Sequence, residues 1–331
     1  MKTTRISATS LAFPEGTLSN EELADIFEGW DASKIEKKLG IKSRHVLAED
    51  EMPSDIAVKA AENLFNEQKI DRQQIDYLIF CTQAPDYLLP TTACIIHERI
   101  GLPKNCGAVD INQGCSGYIH GLVLAKGLIE SGSAKQVLLL TADAYSKYVG
   151  KDDASVRTLF GDGASATLLS VLDSEVPDTQ LDSALDNFVF GTDGSGAGNL
   201  ILANSALRQD GSGKGRSPLY MNGPEVLNFT LREIPPLQET ILQQARLTME
   251  DLDFVILHQA NSFMLAQLAR KLKIPANKLL VDMADVGNTV SSTIPIVMHR
   301  AVVDGRVKRG DVGLLAGFGV GLSWGGCILR Y

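Results

Sequence analysis

Apolar and polar positions alternate along this chain in blocks that predict strands and helices in turn. Continuous apolar runs at 75–82 and 136–142 predict strands of a sheet covered on both faces. The segment 18–27 has helical spacing and opens with Ser19 and Glu22, which together form a capping box. This alternation predicts an α/β protein. The other predicted elements are strands at 1–13 and after the turn at 160–164, and helices at 53–67 (with Ser54 as its cap), 90–100, 118–129 and 262–272.

The second half of the chain repeats the pattern of the first. The strand-like run 75–81 aligns with 252–258, and the run 137–141 aligns with 312–316 at nearly the same separation. Two matched segments in the same order indicate a tandem duplication. We therefore predict two halves, residues 1–173 and 174–331, joined through an acidic and polar linker at 171–186.

The stretch 110–122 combines a strand end, a glycine turn and an apolar helix. Gly114 and Gly117 flank Cys115, so the backbone can turn sharply and other groups can approach. The run 106–111 before them predicts a buried strand. A helix N-terminus favours an anion, so this placement predicts a lowered pKa for the Cys115 thiol and a nucleophilic role. The alternative is a small hydrophobic residue of the core.

Three further segments carry candidate chemistry. His258 ends the repeated strand and directly precedes a helix, so its ring can project into a pocket; the alternative is a structural histidine. Asn288 follows a glycine in a polar turn, and its amide can donate to a carbonyl oxygen; the alternative is a simple turn residue. The glycine-rich segment 317–325 lacks the spacing of a dinucleotide-binding loop and suits an oxyanion hole better.

Composition narrows the class of protein. The 331 residues carry a net charge of -9, which argues against nucleic acid as a partner. The five cysteines include no C-x-x-C pair, so we expect reduced thiols in a cytoplasmic protein and no disulfide framework or metal site. The start of the chain has a strand pattern, so we expect no signal peptide, and no apolar run is long enough to span a membrane.

Taken together, four motifs resemble those of the ketoacyl synthase III group of the thiolase superfamily. They are 113–117, 258–261, 287–289 and 317–325, in the family's order and spacing, and the resemblance covers essentially the whole chain. It implies a thiolase-like fold, in which two duplicated halves with mixed sheets form five layers, α-β-α-β-α. This expectation agrees with the internal repeat.

The resemblance also implies a reaction. Cys115 would accept an acyl group from acyl-CoA, and the backbone amides of Cys115, Gly319 and Val320 would hold the oxyanion. His258 and Asn288 would then bind the carbonyl of a malonyl thioester, whose decarboxylation yields the carbanion that attacks the acyl-cysteine. The product is a 3-oxoacyl thioester. Coenzyme A enters as part of the substrate, and no cofactor is expected.

Several substrate-binding positions follow from the same resemblance. Leu89 would reach across a homodimer to the partner's acyl pocket. Lys38 and Lys34 stand where the family has an arginine and a tryptophan that grip the CoA nucleotide, and Trp30 is the aromatic alternative nearby. The remaining substrate-binding positions are Met221, Asn261 and Phe318.

The carrier-protein side departs from the family pattern. Phe263 and Asn228 stand where basic residues are expected, whereas Arg270 and Lys271 remain as candidates for a docking patch. An acyl carrier protein is still an expected partner. The departures predict a specialised relative in lipid or polyketide synthesis, as opposed to the enzyme that starts bulk fatty acid synthesis.

Two other functions remain open at this stage. The chain could pass the Cys115-bound acyl group to an alcohol, amine or sugar, or it could be a partner subunit of a heteromeric ketosynthase. The three intact candidate residues argue against an inert subunit. A thiolase proper is disfavoured because the Asn288 motif replaces a second cysteine and histidine arrangement.

Overall fold

The computed structural model describes residues 3–172, 185–208 and 217–331. Its strands are β1 (Thr3–Ala12), β2 (Thr17–Ser19), β3 (Ser43–His45), β4 (Tyr77–Cys81), β5 (Gly107–Ile111), β6 (Gln136–Asp143), β7 (Gly163–Leu172), β8 (Leu185–Thr192), β9 (Leu200–Ile201), β10 (Tyr220–Met221), β11 (Phe254–Leu257), β12 (Val312–Gly319) and β13 (Ser323–Arg330). Its helices are α1 (Asn20–Ile26), α2 (Ala32–Leu39), α3 (Pro53–Gln68), α4 (Thr92–Arg99), α5 (Gly117–Glu130), α6 (Ala154–Arg157), α7 (Gly223–Ala245), α8 (Ser262–Lys271) and α9 (Thr293–Val303).

Two mixed sheets share the same topology over four strands, and the first has one further strand, β5, at its edge. The first has the strand order β1-β7-β6-β4-β5 and the second has the order β11-β12-β13-β8. In the first, β4 runs parallel to β6 and β6 antiparallel to β7. In the second, β11 runs parallel to β12 and β12 antiparallel to β13. The aligned runs of the sequence repeat therefore occupy equivalent strands. The predicted boundary at 173/174 lies outside the described residues, as does most of the predicted linker at 171–186.

Helices cover both sheets and separate them. α3 packs on β1, β7 and β6, while α7 packs on β13, β8 and β12. α5 and α9 each contact strands of both sheets, so they form the central layer. Ile119 and Leu122 of α5 and Leu315 of β12 are fully buried in this layer. Each such side chain contributes about 1.5–3 kcal/mol of hydrophobic free energy, which holds the halves together. This layering agrees with the predicted five-layered thiolase-like fold.

The predicted N-cap residue is confirmed for α1 and is wrong for α3. Ser19 caps α1 through the predicted capping box with Glu22. Ser54 does not cap α3, because Pro53 is already the first helical residue; the Ser54 hydroxyl donates to Asp86 Oδ2 at 2.7 Å. β5 was predicted to be buried, but it is an edge strand whose residues are half-buried or exposed.

Two further properties concern the described chain as a whole. All five cysteines are free thiols, and four of them are buried. Within the described ranges, no helix combines the length and the apolar character needed to cross a membrane.

Candidate active site

The candidate residues meet at the carboxyl ends of strands from both halves. Cys115 lies between β5 and α5, His258 follows β11, and Asn288 lies in the turn before α9. All three line one cavity of about 80 Å³. The structure thus brings together residues that are up to 173 positions apart in the sequence. The cavity is also lined by Leu159, Phe160, Leu200, Met221, Gly223, Val226, Ala260, Asn261, Met264, Phe318 and Gly319.

The Cys115 loop is tightly enclosed. A Cβ on Gly114 would come within 2.4 Å of Gln83 Oε1, and a Cβ on Gly117 within 2.4 Å of Cys81 Sγ. A side chain at either position would force these neighbouring side chains to move. Cys115 itself is only 5% exposed.

The predicted lowering of the Cys115 pKa is wrong for this structure. Burial, with the nearby carboxylate of Asp143, raises the pKa of the thiol to about 12, although the backbone N–H groups of Val320 and Cys115 act in the opposite direction. The helix N-terminus favours a thiolate. The loss of hydration that the thiolate suffers on burial is larger than this favourable effect, so the pKa rises. Burial therefore favours the neutral thiol of Cys115 at neutral pH.

The glycine segment at the end of β12 closes over the cysteine. A Cβ on Gly319 would lie 2.7 Å from Cys115 Sγ, and a Cβ on Gly317 would lie 2.7 Å from the Cys115 carbonyl oxygen. The Val320 backbone N–H lies close enough to the thiol to act against the rise in its pKa. The predicted oxyanion-hole residues therefore lie beside the nucleophile, where bare backbone can approach it.

His258 is held on one side by a hydroxyl and on the other by an aromatic ring. Its Nδ1 lies 2.7 Å from Thr293 Oγ1. Its ring packs at a right angle to that of Phe318, with 5.7 Å between centroids. Burial lowers the pKa of His258 to about 3, so the ring is neutral at physiological pH.

Asn288 is fixed by three hydrogen bonds. Its backbone N–H donates to Leu159 and its carbonyl accepts from the Gly161 N–H, both at 3.0 Å. Its side-chain Oδ1 accepts from the Val290 N–H at 2.9 Å. Because the oxygen is engaged there, the amide NH₂ is the end that can donate into the cavity.

Some of the surrounding residues could not be named from the sequence. Asp143 is buried beneath the cysteine loop and accepts from the Gln83 N–H at 2.7 Å and from Ser291. Burial raises its pKa to about 7. Thr293, Phe160 and Leu200 also reach the site from separate segments. Only Phe160 carried a local signal, since it opens the turn at 160–164.

A second, larger cavity, called here the outer cleft, adjoins the first, which we call the inner cavity. This outer cleft has a volume of about 630 Å³ and shares five lining residues with the inner cavity: Leu159, Met221, Gly223, Asn261 and Met264. The Asn261 side chain also caps α8, because its Oδ1 accepts from the Met264 N–H at 2.8 Å. The mouth of the outer cleft is lined by Trp30, Lys38, Asn228 and Phe263, among others.

Two predicted positions lie elsewhere. Leu89 lines neither opening; its side chain is 83% exposed in the loop before α4. Arg270 lies in the last turn of α8 and donates to Gln267. Leu89 is predicted to act across a dimer and Arg270 in carrier docking, and each of these roles involves a second protein chain.

Fold and cavity together define a duplicated α/β enzyme with a cysteine, a histidine and an asparagine around one buried space. Family profiles agree. Residues 109–194 match the profile described as 3-Oxoacyl-[acyl-carrier-protein (ACP)] synthase III, and residues 242–331 match the profile of its C-terminal part.

Whole-chain relatives narrow the assignment. A Beta-ketoacyl-[acyl-carrier-protein] synthase III from Methylococcus capsulatus is 35% identical over 99% of this chain and 98% of its own. One from Clostridium perfringens is 33% identical over the full length of both chains. The chain belongs to the 3-oxoacyl-[acyl-carrier-protein] synthase III family, whose members are acyltransferases of the ketosynthase type.

Solved structures give the same result. A crystal structure of a 3-oxoacyl-(acyl-carrier-protein) synthase III is 45% identical, has a TM-score of 0.91, and covers 99% of this chain and 100% of its own. The priming beta-ketosynthase of the R1128 polyketide pathway is 29% identical, has a TM-score of 0.89, and covers 99% of this chain and 96% of its own.

Proposed function

We propose that this enzyme transfers an acyl group from acyl-CoA to Cys115 and then condenses it with a malonyl thioester to give a 3-oxoacyl thioester. One observation carries the proposal: Cys115, His258 and Asn288 line a single cavity in a member of this family. The relatives' names supply the reaction class, and the cavity supplies the residues.

Acylation needs a thiolate and a place for negative charge. The Cys115 thiol loses its proton as its sulfur attacks the thioester carbonyl, and the departing CoA thiolate takes a proton up. The developing oxyanion accepts hydrogen bonds from the backbone N–H groups of Cys115 and Val320, in the space that Gly319 leaves open. Collapse of the tetrahedral species releases CoA and leaves the acyl-cysteine.

Condensation uses the two side-chain donors. The malonyl thioester carbonyl lies between His258 Nε2 and the Asn288 amide, and loss of CO₂ places the electron pair in an enolate. Neutral donors stabilise that charge without protonating the carbon, which suits a histidine whose pKa is lowered to about 3. The enolate carbon attacks the acyl group, the carbon–sulfur bond to Cys115 breaks, and the thiolate is reprotonated.

Partners follow from the same proposal. The outer cleft admits the CoA or carrier-bound arm, and an acyl carrier protein supplies the malonyl group. The exposed edge strand β5 and the exposed Leu88 and Leu89 support a homodimer. Charge stabilisation comes from protein N–H donors, so the reaction calls for no cofactor beyond its CoA substrate. The free cysteines suit a cytoplasmic enzyme of fatty acid or specialised lipid synthesis.

The first experiment is intact-mass spectrometry after incubation with a panel of acyl-CoAs, with Cys115→Ala as the control. We expect an acyl adduct on the wild type only, and the mass of the adduct identifies the preferred chain. Malonyl-carrier protein is then added, and the 3-oxoacyl product is measured. Acyl-carrier-protein thioesters are tried as donors if no acyl-CoA gives an adduct. The absence of an adduct from both kinds of thioester would refute the proposal.

A further inference from the structure

The side of His258 that faces away from the cavity is held by a single side chain. Thr293 is the first residue of α9, and its Oγ1 lies 2.7 Å from His258 Nδ1. Both residues are 2% exposed, so water does not compete for this contact. A neutral imidazole has one N–H hydrogen, on either Nδ1 or Nε2. The hydrogen-bond partner of Nδ1 decides which of the two nitrogens carries it.

The Thr293 hydroxyl has one hydrogen and two acceptors within reach. His258 Nδ1 is 2.7 Å away, and the Val290 carbonyl oxygen is 3.2 Å away. The contact to Nδ1 lies within the usual range for a hydroxyl donor, about 2.5–3.0 Å, and the contact to the Val290 carbonyl lies beyond it, so we assign the hydroxyl hydrogen to Nδ1. With the hydroxyl donating to Nδ1, the ring hydrogen is on Nε2, the nitrogen that is left for the cavity.

The turn before α9 holds the second donor as well. Val290 has a φ of 56°, which is rare for a β-branched residue. In this conformation its N–H binds Asn288 Oδ1 at 2.9 Å, while its carbonyl lies beside the Thr293 hydroxyl. One short turn therefore orients the amide of Asn288 and the ring of His258 together.

We propose that Thr293 is a positioning residue for the condensation step: its hydroxyl donates to His258 Nδ1 and so keeps a hydrogen on Nε2, aimed at the malonyl carbonyl. The inference rests on the proposed condensation. Acylation of Cys115 uses backbone N–H groups, and it does not need this hydrogen. Loss of the hydroxyl therefore separates the two half-reactions.

The kinetic test uses Thr293→Val, which keeps the branched shape and removes the hydroxyl. Because one oriented donor is lost, we expect condensation to slow by about 10- to 100-fold, while acylation of Cys115 is unchanged. Thr293→Ser should restore condensation. Ser292→Ala is the matched control: it removes a neighbouring buried hydroxyl that bonds Thr141 and the Gly163 carbonyl, away from the histidine. Condensation by Thr293→Val at the wild-type rate would overturn the proposal.

A direct test reads the tautomer without turnover. Nitrogen NMR of ¹⁵N-histidine-labelled wild type distinguishes Nδ1–H from Nε2–H, and His258→Ala assigns the signal among the five histidines. We expect the hydrogen on Nε2 in the wild type, and a hydrogen on Nδ1 would overturn the inference even if Thr293→Val does not fold. A wild type that shows Nε2–H but forms no 3-oxoacyl product would instead count against the proposed function.

Discussion

The inner cavity and the outer cleft share a wall, yet they are built from different kinds of residue. The inner cavity is small and buried, and its cysteine, histidine and asparagine agree with the family motifs. The outer cleft is wide, and at its mouth lie Lys38, Asn228 and Phe263, at positions where the resemblance predicted other residues. Phe263 is half exposed where a basic residue was expected.

The difference follows from what each space has to do. Chemistry depends on donors that are placed within a fraction of an ångström in a dry site, so few substitutions are tolerated there. A cleft that only grips a long, flexible donor uses many weak contacts, and these can be exchanged one at a time. We therefore expect inner-cavity variants to change the rate of a chemical step and outer-cleft variants to change the affinity for the donor.

The largest expected effect is in the inner cavity. Asn288→Ala removes one of the two side-chain donors to the enolate, so condensation should fall about 100- to 1000-fold while Cys115 is still acylated. Adduct mass and product formation measure the two steps, and Asn277→Ala is the surface control. Normal turnover by Asn288→Ala would show that the malonyl carbonyl is not bound there, and transfer to an alcohol or amine would become the better hypothesis.

A second substitution tests the close approach over the cysteine. The methyl group of Gly319→Ala would lie 2.7 Å from Cys115 Sγ, so the thiol or the β12 backbone must shift. Because displacement of a nucleophile by about 1 Å costs about 100-fold, acylation should fall by about 10- to 100-fold. The rate of adduct formation measures this effect. Gly127→Ala on α5, where a Cβ meets no atom within 4 Å, is the control. Unchanged acylation would mean that the segment has more freedom than its packing indicates.

The pH dependence of Cys115 alkylation compares burial with the helix N-terminus. Burial raises the pKa of Cys115 to about 12, so the thiolate fraction should rise about tenfold for each pH unit between about pH 7 and 10. Peptide mapping after iodoacetamide treatment measures the rate at Cys115, and Cys115→Ala confirms the assignment. A plateau near neutral pH would mean that the helix N-terminus outweighs burial after all.

The smallest effects are expected at the mouth of the outer cleft. Trp30→Ala removes a half-buried ring and Lys38→Ala an exposed amine, each one contact to the donor, so the KM for acyl-CoA should rise about threefold and kcat should stay the same. Steady-state kinetics measure both constants, with Lys308→Ala as the control. A loss of kcat without a change in KM would place these residues in the chemistry and would erase the contrast between the two spaces.

Much of the fold and the central residues of the site could be predicted because their signals are local or repeated. The apolar runs at 75–81 and 252–258 identified equivalent strands, and the glycines around Cys115 identified a sharp turn. Thr293 and Leu200 gave no such signal, because they reach the site only through the packing of distant segments. The pKa of Cys115 was predicted in the wrong direction because the burial that raises it also depends on the packing of distant segments.

By itself, the sequence determined many of the strands and helices, though not α7, the longest helix described, and it determined that the halves repeat and which side chains are candidates for a nucleophile and donors. These properties depend on periodicity and residue type, which neighbours along the chain carry. Only the tertiary structure decided how far water is excluded from Cys115, and on which side Thr293 holds His258. Desolvation and hydrogen-bond distances depend on contacts between the two halves, such as Gly319 against the thiol, and no stretch of sequence contains both partners.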